Sequence, residues 1–172
     1  MGLTLRPASP TTPADRRYAM VDSPIGPLAL VEEDGALAAL SVEGARQGPV
    51  PGSFGVRDDA VLPHVREQLD EYFAGRLRDF DAAVVLHGTP FQVRVWNALA
   101  GIPYGTTGTY GQVAREIGAP KAAQAVGAAN GRNPVSLLVP CHRIVGANGR
   151  LTGYAGGMAR KEYLLRLEGA LL

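Results

Sequence analysis

The chain changes its pattern of apolar residues once, at His87-Gly88, and that change limits the folds open to it. Before this point the apolar runs have strand length: Tyr18 to Asp22, Leu28 to Glu33 and Leu37 to Val42, parted by Ser23-Pro24-Ile25-Gly26-Pro27 and by Asp34-Gly35. An Asp-Gly pair between two such runs is a strong hairpin signal, because both central residues of a type I′ turn take positive φ. These runs predict a small antiparallel meander. Residues 43–60 follow as a loop bearing Gly, Pro and Asp. Leu62 to Ala74 then predicts an amphipathic helix with Val65, Leu69, Tyr72 and Phe73 at helical spacing, closed by Gly75, and Val84 to Leu86 adds a strand. Residues 1–16, rich in Pro, Thr and Ala without periodicity, are expected to be a mobile arm.

Beyond Gly88 the pattern is helical. Thr89 can cap Pro90 to Ala100, whose Phe91, Val95, Trp96 and Leu99 form an inward stripe of core residues. Thr109 opens a short helix through Ile117, Gly118-Ala119-Pro120 turns, and Lys121 to Asn130 forms a second helix built almost entirely of Ala, Gly, Val and Gln. Two short helices joined by a tight turn are the helix-turn-helix pattern, and small side chains let the second backbone lie close to another surface. That surface is either a packed helix or a DNA groove. The predicted fold class is therefore α+β: an N-terminal sheet with a helix over residues 17–88 and a mostly helical part over 89–172.

Charge follows the same division. Residues 1–88 hold 8 Lys/Arg against 13 Asp/Glu, whereas residues 89–172 hold 9 against 3. A basic C-terminal half suits a polyanionic partner on that side. No apolar run reaches membrane-spanning length and the N-terminus lacks the apolar core of a signal peptide, so the expected location is the cytoplasm. A single cysteine excludes an internal disulfide and a cysteine-rich zinc site, and no metal or cofactor is expected.

That cysteine lies in Pro140-Cys141-His142-Arg143, preceded by Asn133-Pro134-Val135-Ser136-Leu137-Leu138-Val139. Turn residues running into branched apolar ones predict a buried extended segment that carries Cys141 inward. A sheltered thiol is either inert core or a nucleophile. As a nucleophile it needs a base or a positive field to supply the thiolate, and His142 and Arg143 are candidates.

The segment Asn133-Pro134 through Pro140-Cys141-His142-Arg143-Ile144-Val145 has Tyr104-Gly105 and Tyr110 upstream and Gly153-Tyr154-Ala155-Gly156-Gly157 and Lys161-Glu162 downstream. In order and spacing from about Pro90 to Gly169 it resembles the O6-alkylguanine-DNA alkyltransferases. The resemblance implies a monomeric repair protein that flips O6-alkylguanine, with O4-alkylthymine as a second candidate lesion, out of duplex DNA. The alkyl group would pass irreversibly to Cys141, so that each chain acts once. It implies His142 as base through a bridging water, Glu168 as the residue orienting it, and Tyr110 as donor to the guanine ring. Asn133, Ile144, Tyr154, Ala155 and Gly156 would shape the base pocket, with Asn133 also the hinge below the recognition helix. Ala123, Gln124, Lys121, Arg132 and Arg115 would meet DNA, Arg143 and Lys161 would brace the site, and Gln124 stands where the family usually carries an intercalating arginine. Two other readings stay open: a lesion sensor without transfer, which Cys141 opposes, and a cysteine hydrolase, which would turn over.

Overall fold

The structure is a computed structural model that describes residues 2–8, 15–44 and 54–171. Its N-terminal half is built on a six-stranded sheet in the order β1-β6-β4-β3-β2-β5, comprising β1 (Leu3–Pro7), β2 (Arg16–Val21), β3 (Leu28–Glu33), β4 (Ala36–Val42), β5 (Val56–Arg57) and β6 (Ala82–Leu86). The expected meander is present as antiparallel β2, β3 and β4, and Asp34 (φ 50) and Gly35 (φ 80) make the β3–β4 turn. The sheet is larger than the sequence predicts, and it is mixed. β6 runs parallel to both β1 and β4, and β5 runs parallel to β2.

Part of the expected mobile arm is therefore a strand: Leu3 to Pro7 pairs in register with Ala82 to Leu86. Leu3 and Leu5 alternate with Thr4 and Arg6, but so short a run carries no signal until β6 offers its edge. Residues 9–14 of the arm, and 45–53 of the expected loop, lie outside the described residues.

Between β4 and β6 runs α1 (Pro63–Phe73), started by Pro63 at its first position, with Val65, Leu69 and Tyr72 buried. Gln68, also buried, fixes α1 to the start of β6, since its amide donates to the Asp81 carbonyl (2.8 Å) and accepts from the Asp81 N–H (2.7 Å). Reciprocal capping boxes open α2 (Pro90–Ala100) through Thr89 and Gln92 and α3 (Tyr110–Glu116) through Thr109 and Gln112. The second of the paired helices is α4 (Ala123–Gly131). Trp96 of α2, 1% exposed, donates its indole N–H to the Ala129 carbonyl of α4 at 2.8 Å. It is a core residue, as its place in the apolar stripe predicts. A helix that the sequence reading leaves unassigned, α5 (Met158–Leu167), closes the chain.

One apolar cluster joins Leu28, Leu30, Leu37 and Leu40 of the sheet and Tyr72 of α1 to Val95, Trp96 and Leu99 of α2, and to Val139, Cys141 and Ile144. The thiol thus sits in the core shared by sheet and helices.

Candidate active site around Cys141

The segment leading to Cys141 is a clamped loop and not the extended strand its apolar run predicts. Only Val135 bridges to the sheet, at Leu40, and Leu137, buried, has φ 71, which breaks any continuous ladder. The clamp is Asn133. Its Oδ1 accepts from the Val135 N–H (3.0 Å) and its Nδ2 donates to the Val139 carbonyl (2.7 Å), so one short side chain closes the loop on itself. Asn130, at the end of α4, donates to the Cys141 carbonyl (3.4 Å).

Cys141–Arg143 forms a single 3-10 turn, which hands the chain to β8 (Ile144–Val145). β8 pairs in parallel with β7 (Gly108–Thr109), which leads directly into α3, so the first residue of that helix, Tyr110, follows on level with the end of β8. Tyr110 shares a 2.6 Å hydrogen bond between its hydroxyl and that of Thr152.

Cys141 is 4% exposed and His142 fully buried. His142 Nε2 lies 2.9 and 3.0 Å from the two carboxylate oxygens of Glu168. Arg143 donates to the same carboxylate from Nε (2.8 Å) and a terminal nitrogen (2.9 Å), and its other terminal nitrogen donates to the Ile102 carbonyl (2.6 Å). Tyr72 adds its hydroxyl at 3.2 Å. Gly105 lets the chain approach from the far side. It has φ 78, and a Cβ there would lie 3.1 Å from the Glu168 carbonyl oxygen.

The electrostatics follow from burial and these partners. Burial pushes Glu168 up, but hydrogen bonds from His142 and Arg143, with their charges, outweigh it and hold the carboxyl at about 2. Burial pulls His142 down, assisted by the Arg143 and Lys161 charges and opposed by Glu168. The imidazole is therefore neutral at pH 7. With Nε2–H donating to Glu168, its Nδ1 is the lone-pair nitrogen, and Nδ1 is buried with no protein partner among the described residues.

Burial pushes the Cys141 thiol up, while the Asn133 amide, the Lys161 charge and the Ser136 hydroxyl favour the thiolate. Lys161 is 1% exposed, donates to the carbonyls of Ile144 and Thr152, and is brought by burial to about 8. The Tyr154 phenol, pushed well above its ordinary value by burial and by Cys141, lies near the same thiol.

Cys141, His142, Glu168, Asn133, Tyr154 and Lys161 are thus brought together, and Ala155 and Gly156 follow in the half-buried loop beside them. Ile144 is fully buried in the core and joins the site through its carbonyl, which Lys161 holds. Arg115, Lys121, Gln124 and Arg132 are exposed on α3, α4 and the turn between them, and Ala123 is half-buried. Sequence reasoning missed Ser136, Asn130 and Tyr72. Ser136 and Asn130 are ordinary polar residues of a turn and a helix end, and Tyr72 occupies an apolar stripe that needs no hydroxyl.

A buried thiol, a neutral histidine in the same turn and a carboxylate fixing that histidine make the class a cysteine-nucleophile protein, in a chain whose short α4 is flanked by Lys121 and Arg132. A family model described as "6-O-methylguanine DNA methyltransferase, DNA binding domain" matches residues 90–170, and one described as "6-O-methylguanine DNA methyltransferase, ribonuclease-like domain" matches residues 16–86. A methylated-DNA–protein-cysteine methyltransferase of Methanosarcina acetivorans is 50% identical over 154 residues, covering 89% of this chain and 98% of the relative. One of Mycobacterium tuberculosis is 51% identical over 158 residues, covering 88% and 91%. A crystal structure of Mycobacterium tuberculosis OGT in complex with DNA superposes with TM-score 0.84 at 47% identity, over 90% of this chain and 93% of that one. The chain belongs to the 6-O-methylguanine DNA methyltransferase family.

Proposed function

We propose that the chain repairs DNA by moving the alkyl group of O6-alkylguanine in a duplex onto Sγ of Cys141. The observation that carries this reading is the buried His142, neutral, with Nε2–H held by Glu168 and Nδ1 unpartnered in the turn of the chain's only thiol. His142 Nδ1 takes the thiol proton through a bridging water, and the thiolate attacks the alkyl carbon. The S–C bond forms as the C–O bond breaks, its electron pair passing to the guanine, which gains a proton or a hydrogen bond from the Tyr110 hydroxyl. A donor aimed at the charge that develops on the leaving group is where such a site gains most. The product on Cys141 is a thioether with no leaving group that water could displace, so the chain acts once.

Several features support DNA as the partner. The exposed Gln124, Ala125 and Ala128 lie at helical spacing on α4, and the exposed Lys121 and Arg132 flank that helix, which suits a groove-inserted helix of a helix-turn-helix. Arg115, Lys121, Arg132 and Arg150 are exposed and enter no salt bridge among the described residues. Tyr154, Ala155 and Gly156 form the wall against which the flipped base packs, and Asn133 holds the loop beneath it. Gln124 fills the vacancy the base leaves. The protein acts as a monomer, since its exposed large apolar residues among those described are the scattered Val56, Met158 and Tyr163. It acts in the cytoplasm, where a free thiol stays reduced.

The test is Cys141→Ser, whose hydroxyl is far harder to ionise at almost the same shape. Transfer from an O6-methylguanine duplex should vanish while duplex affinity stays close to that of the unsubstituted protein. Continued transfer by the Ser variant would place the acceptor elsewhere.

A further inference from the structure

We propose that Tyr72, on α1 beside the sheet, is a positioning residue for alkyl transfer: its phenol O–H anchors the Glu168 carboxylate that orients His142. The inference rests on the reading of Cys141, His142 and Glu168 given above, and it gives the N-terminal half a part in the chemistry.

The geometry singles out this residue. Tyr72 is fully buried and reaches Glu168 Oε2 at 3.2 Å across 96 residues of chain. Its ring is fixed on several sides, by Phe73 edge-on at 5.2 Å, by Phe80 at 5.2 Å and by Tyr104 at right angles at 6.3 Å. Packing therefore decides where the hydroxyl points, which is what a positioning group needs. The other side chains donating to Glu168, His142 and Arg143, both come from the 3-10 turn that carries Cys141. The carboxylate is borne at the end of α5, and without Tyr72 its side-chain donors among the described residues would all lie on that turn. Tyr72 ties the carboxylate to a different element, so the turn is registered against the rigid sheet and helix.

The donor role is also constant. Burial, and then the Glu168 charge, push the Tyr72 phenol above its ordinary range, so it keeps its proton at any pH the protein meets. A core tyrosine that merely needed a partner would satisfy the same distances, so the two readings must be parted by a property of His142. Removing the phenol leaves Glu168 with one donor fewer and a greater hold on the Nε2 proton, which favours the imidazolium. The other charged or titratable groups acting on His142 and Glu168, namely Arg143 of the same turn, Lys161 of α5, Cys141 and Tyr154, are unchanged by that removal.

The experiment compares Tyr72→Phe with the unsubstituted, unalkylated protein. The His142 titration is followed by nitrogen-15 NMR, and single-turnover transfer from an O6-methylguanine duplex is followed against pH. Tyr72→Phe should raise the His142 midpoint by roughly half to one pH unit. The acid limb of the rate profile should move up with it. The plateau rate should fall roughly threefold to tenfold, a fraction of what a positioned base contributes. A His142 midpoint unmoved by the substitution overturns the proposal, whatever happens to the rate, because a packing tyrosine would do that. Should Tyr72→Phe fail to fold, 3-fluorotyrosine at position 72 supplies a stronger donor of nearly the same shape and should lower the midpoint, and no shift there overturns the proposal equally. Absence of transfer in the unsubstituted protein would instead remove the functional reading, leaving the NMR arm to decide the coupling by itself.

Discussion

Replacing Glu168 by Gln tests the electrostatic account of the site, because the change keeps the shape while it removes the charge and turns one acceptor oxygen into a donor. The carboxyl is held at about 2 against an ordinary value of 4.5. A shift of that size corresponds to roughly 3 kcal/mol of folding stability at about 1.4 kcal/mol per unit. Breaking a buried ion pair by removing one partner costs about 3–5 kcal/mol, and Arg143, 8% exposed at its side chain, would be the charge left behind. The two routes agree on about 3 kcal/mol. Because the folded-state value is depressed, this stability is fully present above pH 4.5 and fades as the pH falls towards 2. At a pH near 3, linkage leaves roughly half of it. Urea denaturation of both proteins at pH 7 and near pH 3 should therefore show a gap of about 3 kcal/mol that shrinks to roughly half in acid. Single-turnover transfer should slow without stopping, since His142 loses the charge of its orienting partner while Cys141 remains. A gap below about 1 kcal/mol at pH 7, or one that does not change with pH, would refute the reasoning.

Gln124→Ala should slow repair in duplex DNA, and Gln124→Arg should maintain or improve it, with neither affecting reaction with the free base, because base flipping costs a few kcal/mol that only the duplex demands. Equal loss on both substrates would make Gln124 a pocket or folding residue. Lys121→Ala should make the slope of log affinity against log salt less negative by about 0.9, the share of one phosphate contact. An unchanged slope, measured by fluorescence anisotropy across a salt series, would remove Lys121 from the DNA surface. Gly105→Ala should destabilise the fold by about 1–3 kcal/mol, since φ 78 disfavours a side chain and the new methyl group would press on the Glu168 carbonyl. Thermal unfolding no different from the parent would show that this turn yields.

The parts of the fold that local chemistry specifies were legible. Asp34-Gly35 marks its hairpin, Thr89 and Thr109 mark the starts of α2 and α3, and the spacing of Val95, Trp96 and Leu99 marks the buried face of α2. What stayed hidden depends on partners far along the chain. Leu3–Pro7 is a strand only because β6 lies beside it, and Val56–Arg57 only because of β2. The apolar run before Cys141 signals burial correctly, but burial does not distinguish a strand from a clamped loop, and the Asn133 clamp decides for the loop. Within the site, the Cys-His pair by itself fits inert core as well as a nucleophile, and the motifs around it, from Tyr104-Gly105 to Lys161-Glu162, decide for the nucleophile. Ser136 and Tyr72 carry no such signal, since each fills a place that many residues could fill, and only the fold shows what they touch.

The central claim is that Cys141 receives the alkyl group and keeps it. Intact-protein and peptide mass spectrometry after incubation with a duplex containing O6-methylguanine measures this directly. The account predicts one methyl group in place of one hydrogen, located on the peptide carrying Cys141, with product never exceeding protein in molar amount. More than one repaired guanine per chain, or a methyl group on any other residue, would contradict it.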